Sequence, residues 1–199
     1  MPFPSLSADN FLSRGAAGHV FQISSNIVLK SPTQFDDPFP QQIEEMEESE
    51  KKIEAEKAVY RVLMKRPHPN IVQCIVCAPE GIFLRRMECT LQDRLSLSQT
   101  ASIPPHTQER WVRQLTSAVA WLESLNLVHG DLRPANILLD ANEDIKLGDF
   151  DATVEPGAEL TVASEPFWKM NKDFETPPAG PVTEQYSLAS CIYTIRFGH

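Results

Sequence analysis

The sequence predicts an α+β fold that is β-rich in its first third and mostly helical in the remainder. Three observations point there. Short apolar runs of β type alternate with turn residues up to about Lys30. The stretch from Ile43 to Lys65 has neither Gly nor Pro, and its apolar residues recur at three- and four-residue steps. Past residue 106, two further helical stripes flank one short hairpin. With 199 residues the chain suffices for one large domain or two small lobes.

The elements follow in order. Phe11-Leu12 leads through Gly15-Ala16-Ala17-Gly18 into Val20-Phe21-Gln22-Ile23, and Ser24-Ser25-Asn26 turns the chain into Ile27-Val28-Leu29-Lys30. This reads as a hairpin followed by a third strand. Residues 31 to 42 hold Pro32, Pro38 and Pro40 and are predicted as loop. In the helix from Ile43 to Lys65, Met46, Ile53, Tyr60 and Leu63 fall close to one face, and the glutamates from Glu44 to Glu50 form a solvated start that suits the helix dipole. Glu56 shares the face of Ile53, Val59, Tyr60 and Leu63. A carboxylate in an inward stripe needs a partner, because burying an unpaired charge is costly. Lys30, at the end of the third strand, is the candidate.

Two more strands are predicted at Ile71 to Cys77 and Gly81 to Arg85, after Pro67-His68-Pro69-Asn70. Residues 98 to 106 read as a linker with Pro104-Pro105, and Thr107 as the cap of a helix whose stripe is Trp111, Leu115, Ala118, Val119 and Leu122. Ile137-Leu138-Leu139 and Ile145-Lys146-Leu147 form a hairpin around a polar turn. Residues 152 to 182 are irregular, and a last helix is predicted from about Thr183 to Ile195.

Composition narrows the class. Hydrophobic residues make up 42% of the chain, enough for a core. The net charge of -9 argues against a nucleic-acid partner, which would call for a basic stripe. No apolar run approaches a membrane span. The start, Met1-Pro2-Phe3-Pro4-Ser5, lacks the pattern of a signal peptide, so an intracellular, cytoplasmic location is expected. Cys74-Ile75-Val76-Cys77 has zinc-like spacing, but no second Cys/His pair sits nearby in sequence. On a regular strand residues three apart point to opposite faces, so these read as core cysteines.

The chemistry concentrates in His129-Gly130-Asp131-Leu132-Arg133-Pro134-Ala135-Asn136, followed by Gly148-Asp149-Phe150. An Asp, an Asn five residues on and a second Asp thirteen residues later form a set suited to phosphoryl transfer. One carboxylate orients an attacking hydroxyl, while an amide and the second carboxylate hold Mg²⁺ against ATP phosphates.

Taken together, these segments resemble a eukaryotic-type protein kinase from Leu12 to His199. The resemblance implies a two-lobed fold: a small β-rich N-lobe over residues 1–87 and a mostly helical, incomplete C-lobe over 88–199. Leu12-Ser13-Arg14-Gly15-Ala16-Ala17-Gly18-His19-Val20 resembles the phosphate-covering loop, with Ser13 in place of its first glycine. Val28-Leu29-Lys30 is similar to the third-strand lysine motif, and Glu56-Lys57-Ala58-Val59-Tyr60 to the regulatory helix whose Glu holds that Lys. His68-Pro69-Asn70-Ile71-Val72 is similar to the loop after that helix. Leu84 resembles the gatekeeper and Arg85 to Met87 the hinge that reads adenine, with Arg85 in place of an acidic residue.

The site that the resemblance implies is correspondingly specific. ATP would meet Ser13, Gly15, Gly18, Val20, Val28, Lys30, Leu84, Met87 and Leu138. Asn136 and Asp149 would ligate Mg²⁺. Asp131 would orient the substrate hydroxyl, Arg133 would stand in for the catalytic-loop Lys, and Lys30 with Glu56 would complete the catalytic set. The implied function is transfer of the ATP γ-phosphoryl group to Ser/Thr hydroxyls of a protein substrate, and Pro134 after Arg133 looks more like the Ser/Thr than the Tyr branch. Two alternatives stay open: a non-catalytic pseudokinase, and a small-molecule phosphotransferase of the aminoglycoside and choline type. A dinucleotide-binding oxidoreductase is excluded, because the Gly-rich segment does not open a helix.

Several positions depart from the family pattern. Gly130 replaces the Arg that reads a phosphorylated activation loop, so activity is expected not to depend on such phosphorylation. Asp151 replaces the glycine of the metal-binding element. Ala163-Ser164-Glu165-Pro166-Phe167 is a degenerate substrate-binding loop without the closing Ala-Pro-Glu, and Glu184 stands at the usual Asp of the central helix. With the sequence ending at His199, Leu188, Ile192 and Ile195 are expected to be partly uncovered, which predicts a partner or a further segment over them.

Overall fold

A computed structural model describes residues 8–97, 103–173 and 175–198. The chain divides into two compact units, one of residues up to Pro67 with Gln73–Arg86, the other of His68–Val72 with Met87 onward. Of the linker expected at 98–106, residues 98–102 lie outside the described residues, as do the stretch before residue 8 and His199, while residues 105 and 106 already belong to a helix.

The first unit is a five-stranded antiparallel sheet with one long helix. Its strands are β1 (Phe11–Arg14), β2 (His19–Gln22), β3 (Ile27–Ser31), β4 (Cys74–Ala78) and β5 (Gly81–Arg85), in the order β1-β2-β3-β5-β4. β3 is central, and Val28, Leu29, Lys30 and Ser31 are all buried. Helix α1 (Pro40–Lys65) packs on β4 and β5 through Ile53, Val59, Tyr60 and Leu63. Met46, expected on that face, is only half-buried.

The second unit holds the three-stranded sheet β6 (Cys89–Thr90), β7 (Ile137–Leu139) and β8 (Ile145–Leu147), with helices α2 (Leu91–Leu97), α3 (Pro105–Ser124) and α4 (Pro181–Phe197). The stripe of α3 is buried from Trp111 to Leu122 as its spacing predicts. Among the described residues, no helix is long and apolar enough to cross a membrane.

Four differences from the sequence expectations have physical causes. All three long helices begin earlier than expected, each at a proline: Pro40, Pro105 and Pro181. Proline at the first helical position lacks only an N–H that has no helical partner, so these prolines start helices rather than marking loops. Helix α2 was not anticipated, although Thr90-Leu91-Gln92-Asp93 encodes its cap. The Asp93 N–H donates to Thr90 Oγ1 at 3.0 Å, and the Thr90 N–H donates back to Asp93 Oδ2 at 3.3 Å.

The expected strand at Ile71 to Cys77 is split. Asn70 and Val72 exchange backbone hydrogen bonds with Leu147 in the second unit, and β4 begins only at Cys74. Finally, Ile195 is fully buried together with Cys191, because α4 packs on α3. Leu188 and Ile192 are half-buried, and the exposed apolar groups of α4 are Val182, Tyr186, Tyr193 and Phe197.

Candidate functional site

In the first unit, the inward stripe of α1 delivers Glu56 to the end of β3. Lys30 Nζ lies 2.6 Å from Glu56 Oε2, with the two side chains 8% and 0% exposed. Lys30 is fixed by pairing on both sides, opposite Val20 on β2 and Ile82 on β5. Val28 and Leu84 face each other across β3 and β5, and both are buried. Ser13 lies exposed on β1, and Val20 is half-buried on β2.

The β1–β2 turn closes with the Gly15 N–H donating to the Gly18 carbonyl at 2.8 Å. A Cβ at Gly18 would stand 2.1 Å from the Ser31 carbonyl oxygen, so the close approach of β3 already requires glycine there. The turn is also tied to α1. Ser49 Oγ donates to the Ala17 carbonyl at 2.7 Å and accepts the Thr33 N–H at 2.8 Å, and Arg14 pairs with Glu45. Sequence reading missed this clamp; a serine within a glutamate-rich helix start carries no signal of it.

In the second unit, a hydrogen-bond network fixes the segment from His129 to Asn136. The Asp131 N–H donates to His129 Nδ1 at 3.3 Å, which places the ring proton on Nε2, and Nε2 donates to the Gly148 carbonyl at 2.9 Å. Phe150 is fully buried, its ring 5.3 Å from that of His129. Asp131 Oδ2 accepts from Arg133 Nε at 2.9 Å and from Asn136 Nδ2 at 2.8 Å. Oδ1 accepts the Ser164 hydroxyl at 2.9 Å. One carboxylate oxygen is thus held by a guanidinium and an amide, while the other receives an aliphatic hydroxyl. A depression opens beside it, lined by Leu160, Ser164, Phe167, Trp168 and Lys169 among others.

Asn136 ends a 3-10 turn, Pro134–Asn136. Its amide NH₂ is engaged twice by Asp131, at the carboxylate and at the backbone carbonyl 2.7 Å away. The amide oxygen accepts no hydrogen bond from the described residues, so a hard, oxygen-seeking cation fits it. Asp149 adds a carboxylate two residues past β8, at a φ of 61°. Among the described residues no cluster of three or more His, Cys, Asp or Glu side chains forms a free-standing metal site. An amide and a carboxylate suit Mg²⁺ that arrives with phosphates, since Mg²⁺ commonly takes one or two carboxylates plus substrate oxygens. Leu138, on β7, and Met87 are half-buried in this unit.

Gly130 is required by the fold. Its φ is 82°, and a Cβ would lie 2.3 Å from the Ala152 carbonyl oxygen. Gly157 shares a positive φ of 92° but has no neighbour within 4 Å of a Cβ. Gly130→Ala is therefore expected to cost about 2–3 kcal/mol, and Gly157→Ala about 1 kcal/mol, read as the difference between their melting temperatures. Equal losses would mean that Ala152 yields.

Glu184, in the first turn of α4, accepts the His129 N–H at 2.6 Å and so fastens that helix to the segment. Burial pushes its carboxyl above the ordinary 4.5, opposed by His129 and by the N–H groups of His129 and Gly130. A raised folded value means that the native state keeps a proton the unfolded chain gives up. The contribution of Glu184 is complete below 4.5 and is lost as pH rises through the folded value. Glu184→Gln is expected to flatten that loss in a plot of melting temperature against pH. An unchanged slope would contradict the assignment.

The family model described as protein kinase domain matches residues 39–196. U-box domain-containing protein 33 of Arabidopsis thaliana is 42% identical over 98 residues, covering 45% of this chain and 12% of that protein. The carbon catabolite-derepressing protein kinase of Secale cereale is 30% identical over 106 residues, 52% of this chain and 21% of that protein. Serine/threonine-protein kinase DCLK1 of Rattus norvegicus is 33% identical over 114 residues, 53% and 26% respectively. The chain spans about a quarter or less of the length of each of these relatives.

Proposed function

The chain belongs to the protein kinase domain family, and from that premise we propose that it transfers the γ-phosphoryl group of ATP, with Mg²⁺, to Ser/Thr hydroxyls of a protein substrate. The observation that carries the proposal is the state of Asp131. Its Oδ2 is immobilised by Arg133 and Asn136, while Oδ1 accepts a hydroxyl of the chemical type to be phosphorylated.

Asp131 orients the attacking hydroxyl and takes its proton. Lys30, paired with Glu56, meets the α- and β-phosphates. Arg133 places positive charge where the transferring group develops negative charge, with a planar guanidinium in place of an ammonium. Bound by the Asn136 amide oxygen and the Asp149 carboxylate, Mg²⁺ would neutralise the phosphate oxygens. Names of relatives that include serine/threonine-protein kinase support the choice of hydroxyl.

Thermal melting with and without Mg-ATP tests the nucleotide half of the proposal. Ligand at 100 times Kd is expected to add about 2.7 kcal/mol, a rise of several degrees, and Asp149→Asn is expected to lose most of it. A wild-type melt that does not move would rule out the proposal. Transfer to choline or an aminoglycoside, but not to protein, would favour the small-molecule reading.

A further inference from the structure

Cys74 and Cys77 do not behave as strand residues three apart should. On a regular strand they would point to opposite faces, about 10 Å apart. Here Cys74 stands opposite Leu84 and Cys77 opposite Ile82, with the register shifting between Cys74 and Val76. The bulge absorbs one residue, so the two cysteines match positions two apart on β5, which share a face and lie about 6.7 Å apart. Both cysteines are free, and their sulfurs are 3.8 Å apart.

We infer that Cys74 and Cys77 form a dithiol site that a peroxide converts to an intramolecular disulfide. The surroundings assign an order to the steps. Cys77 is half-buried, whereas Cys74 lies beneath it at 8% exposure. Burial, with Cys77 and Glu56 adding to it, pushes the Cys74 thiol up to about 12, so at neutral pH it keeps its proton. Peroxide therefore meets Cys77. The Cys77 sulfur attacks the O–O bond and becomes S–OH, and the other oxygen leaves as water with the thiol proton. The Cys74 sulfur then attacks Cys77 Sγ. Its proton departs with the hydroxyl as a second water, and the S–S bond forms. Two thiols lose two electrons and one peroxide becomes two waters.

The site adjoins the regulatory region of the first unit. The Cys77 thiol donates to the Lys57 carbonyl at 3.9 Å, one residue beyond Glu56. Oxidation removes that donor from α1. Cys191, by contrast, is buried with its thiol on the Leu132 carbonyl. The inference does not depend on phosphoryl transfer.

The test treats the folded chain with hydrogen peroxide, unfolds and alkylates it with iodoacetamide, and analyses tryptic peptides by mass. The fragment ending at Arg85 carries Cys74 and Cys77 and no other cysteine. In the oxidised chain it is expected to be lighter by two hydrogens and to take no alkyl group. Dithiothreitol should restore alkylation at both positions. In Cys74→Ser, Cys77 should be trapped by dimedone as the sulfenic acid. The inference is overturned if both positions stay alkylatable under peroxide that fully oxidises glutathione in a parallel tube. It is equally overturned if wild-type Cys77 proceeds to the sulfinic acid, or if disulfides join only separate chains.

Discussion

Replacing Glu56 by Ala is expected to lower stability by about 3–5 kcal/mol and the melting temperature by about 10 °C. Lys30 sits on the central strand of the first unit, and its ammonium lies 2.6 Å from a carboxylate that is wholly buried. Without that carboxylate the ammonium stays in a low-dielectric site and loses a counter-charge 2.6 Å away, and this desolvation is the larger part of the cost. Exposed pairs such as Lys52–Glu48 should behave differently. Glu48→Ala is expected to leave the melting temperature close to that of wild type, because solvent screens an exposed pair. The double variant Lys30→Met/Glu56→Leu removes both charges at similar volume and should recover most of the loss, since a buried pair is close to break-even against apolar isosteres. Such a result would show that the charges themselves are not what holds the fold. If Glu56→Ala melts like wild type, the pair is not the buried interaction described.

Asp131→Asn is expected to reduce phosphoryl transfer by about 10²–10⁴-fold while leaving the Mg-ATP-induced melting shift intact. The geometry explains why so small a change matters. Two donors, Arg133 Nε and Asn136 Nδ2, converge on Oδ2. An amide at position 131 must present its oxygen to them, which turns its NH₂ toward the Ser164 hydroxyl and toward any incoming hydroxyl. A group that accepted a proton becomes one that donates. Loss of both transfer and nucleotide binding would instead show that the whole segment had collapsed.

The legible parts of the sequence were those where local pattern and chemistry agree. Glu56 stood out as a carboxylate inside an apolar stripe, and Lys30, the partner that this demanded, lies 2.6 Å from it. The spacing of Asp131 and Asn136 across a 3-10 turn brings an amide onto a carboxylate by short-range geometry. What escaped depends on contacts far apart in sequence or on a one-residue irregularity. Ser164 reaches Asp131 across 33 residues, and Ser49 reaches Ala17 across 32. Neither serine sits in a pattern that singles it out. The Cys74–Cys77 pair was assigned to opposite faces because a bulge leaves no periodic trace, and it reverses the parity of every residue beyond it. Gly130 read as a lost arginine; the structure adds that Ala152 leaves no room for any side chain. The prolines at helix starts were misplaced for a simpler reason, since the same residue ends one pattern and opens the next.

The central claim is phosphoryl transfer by Asp131, and the most direct measurement is transfer from γ-labelled ATP to a serine-containing protein, with wild type and Asp131→Asn side by side. The account predicts label on Ser/Thr in the wild type, dependent on Mg²⁺, and a rate at least about 100-fold lower in the variant. Equal rates, or no transfer by a wild-type chain whose melting temperature rises with Mg-ATP, would contradict it and leave a nucleotide-binding module.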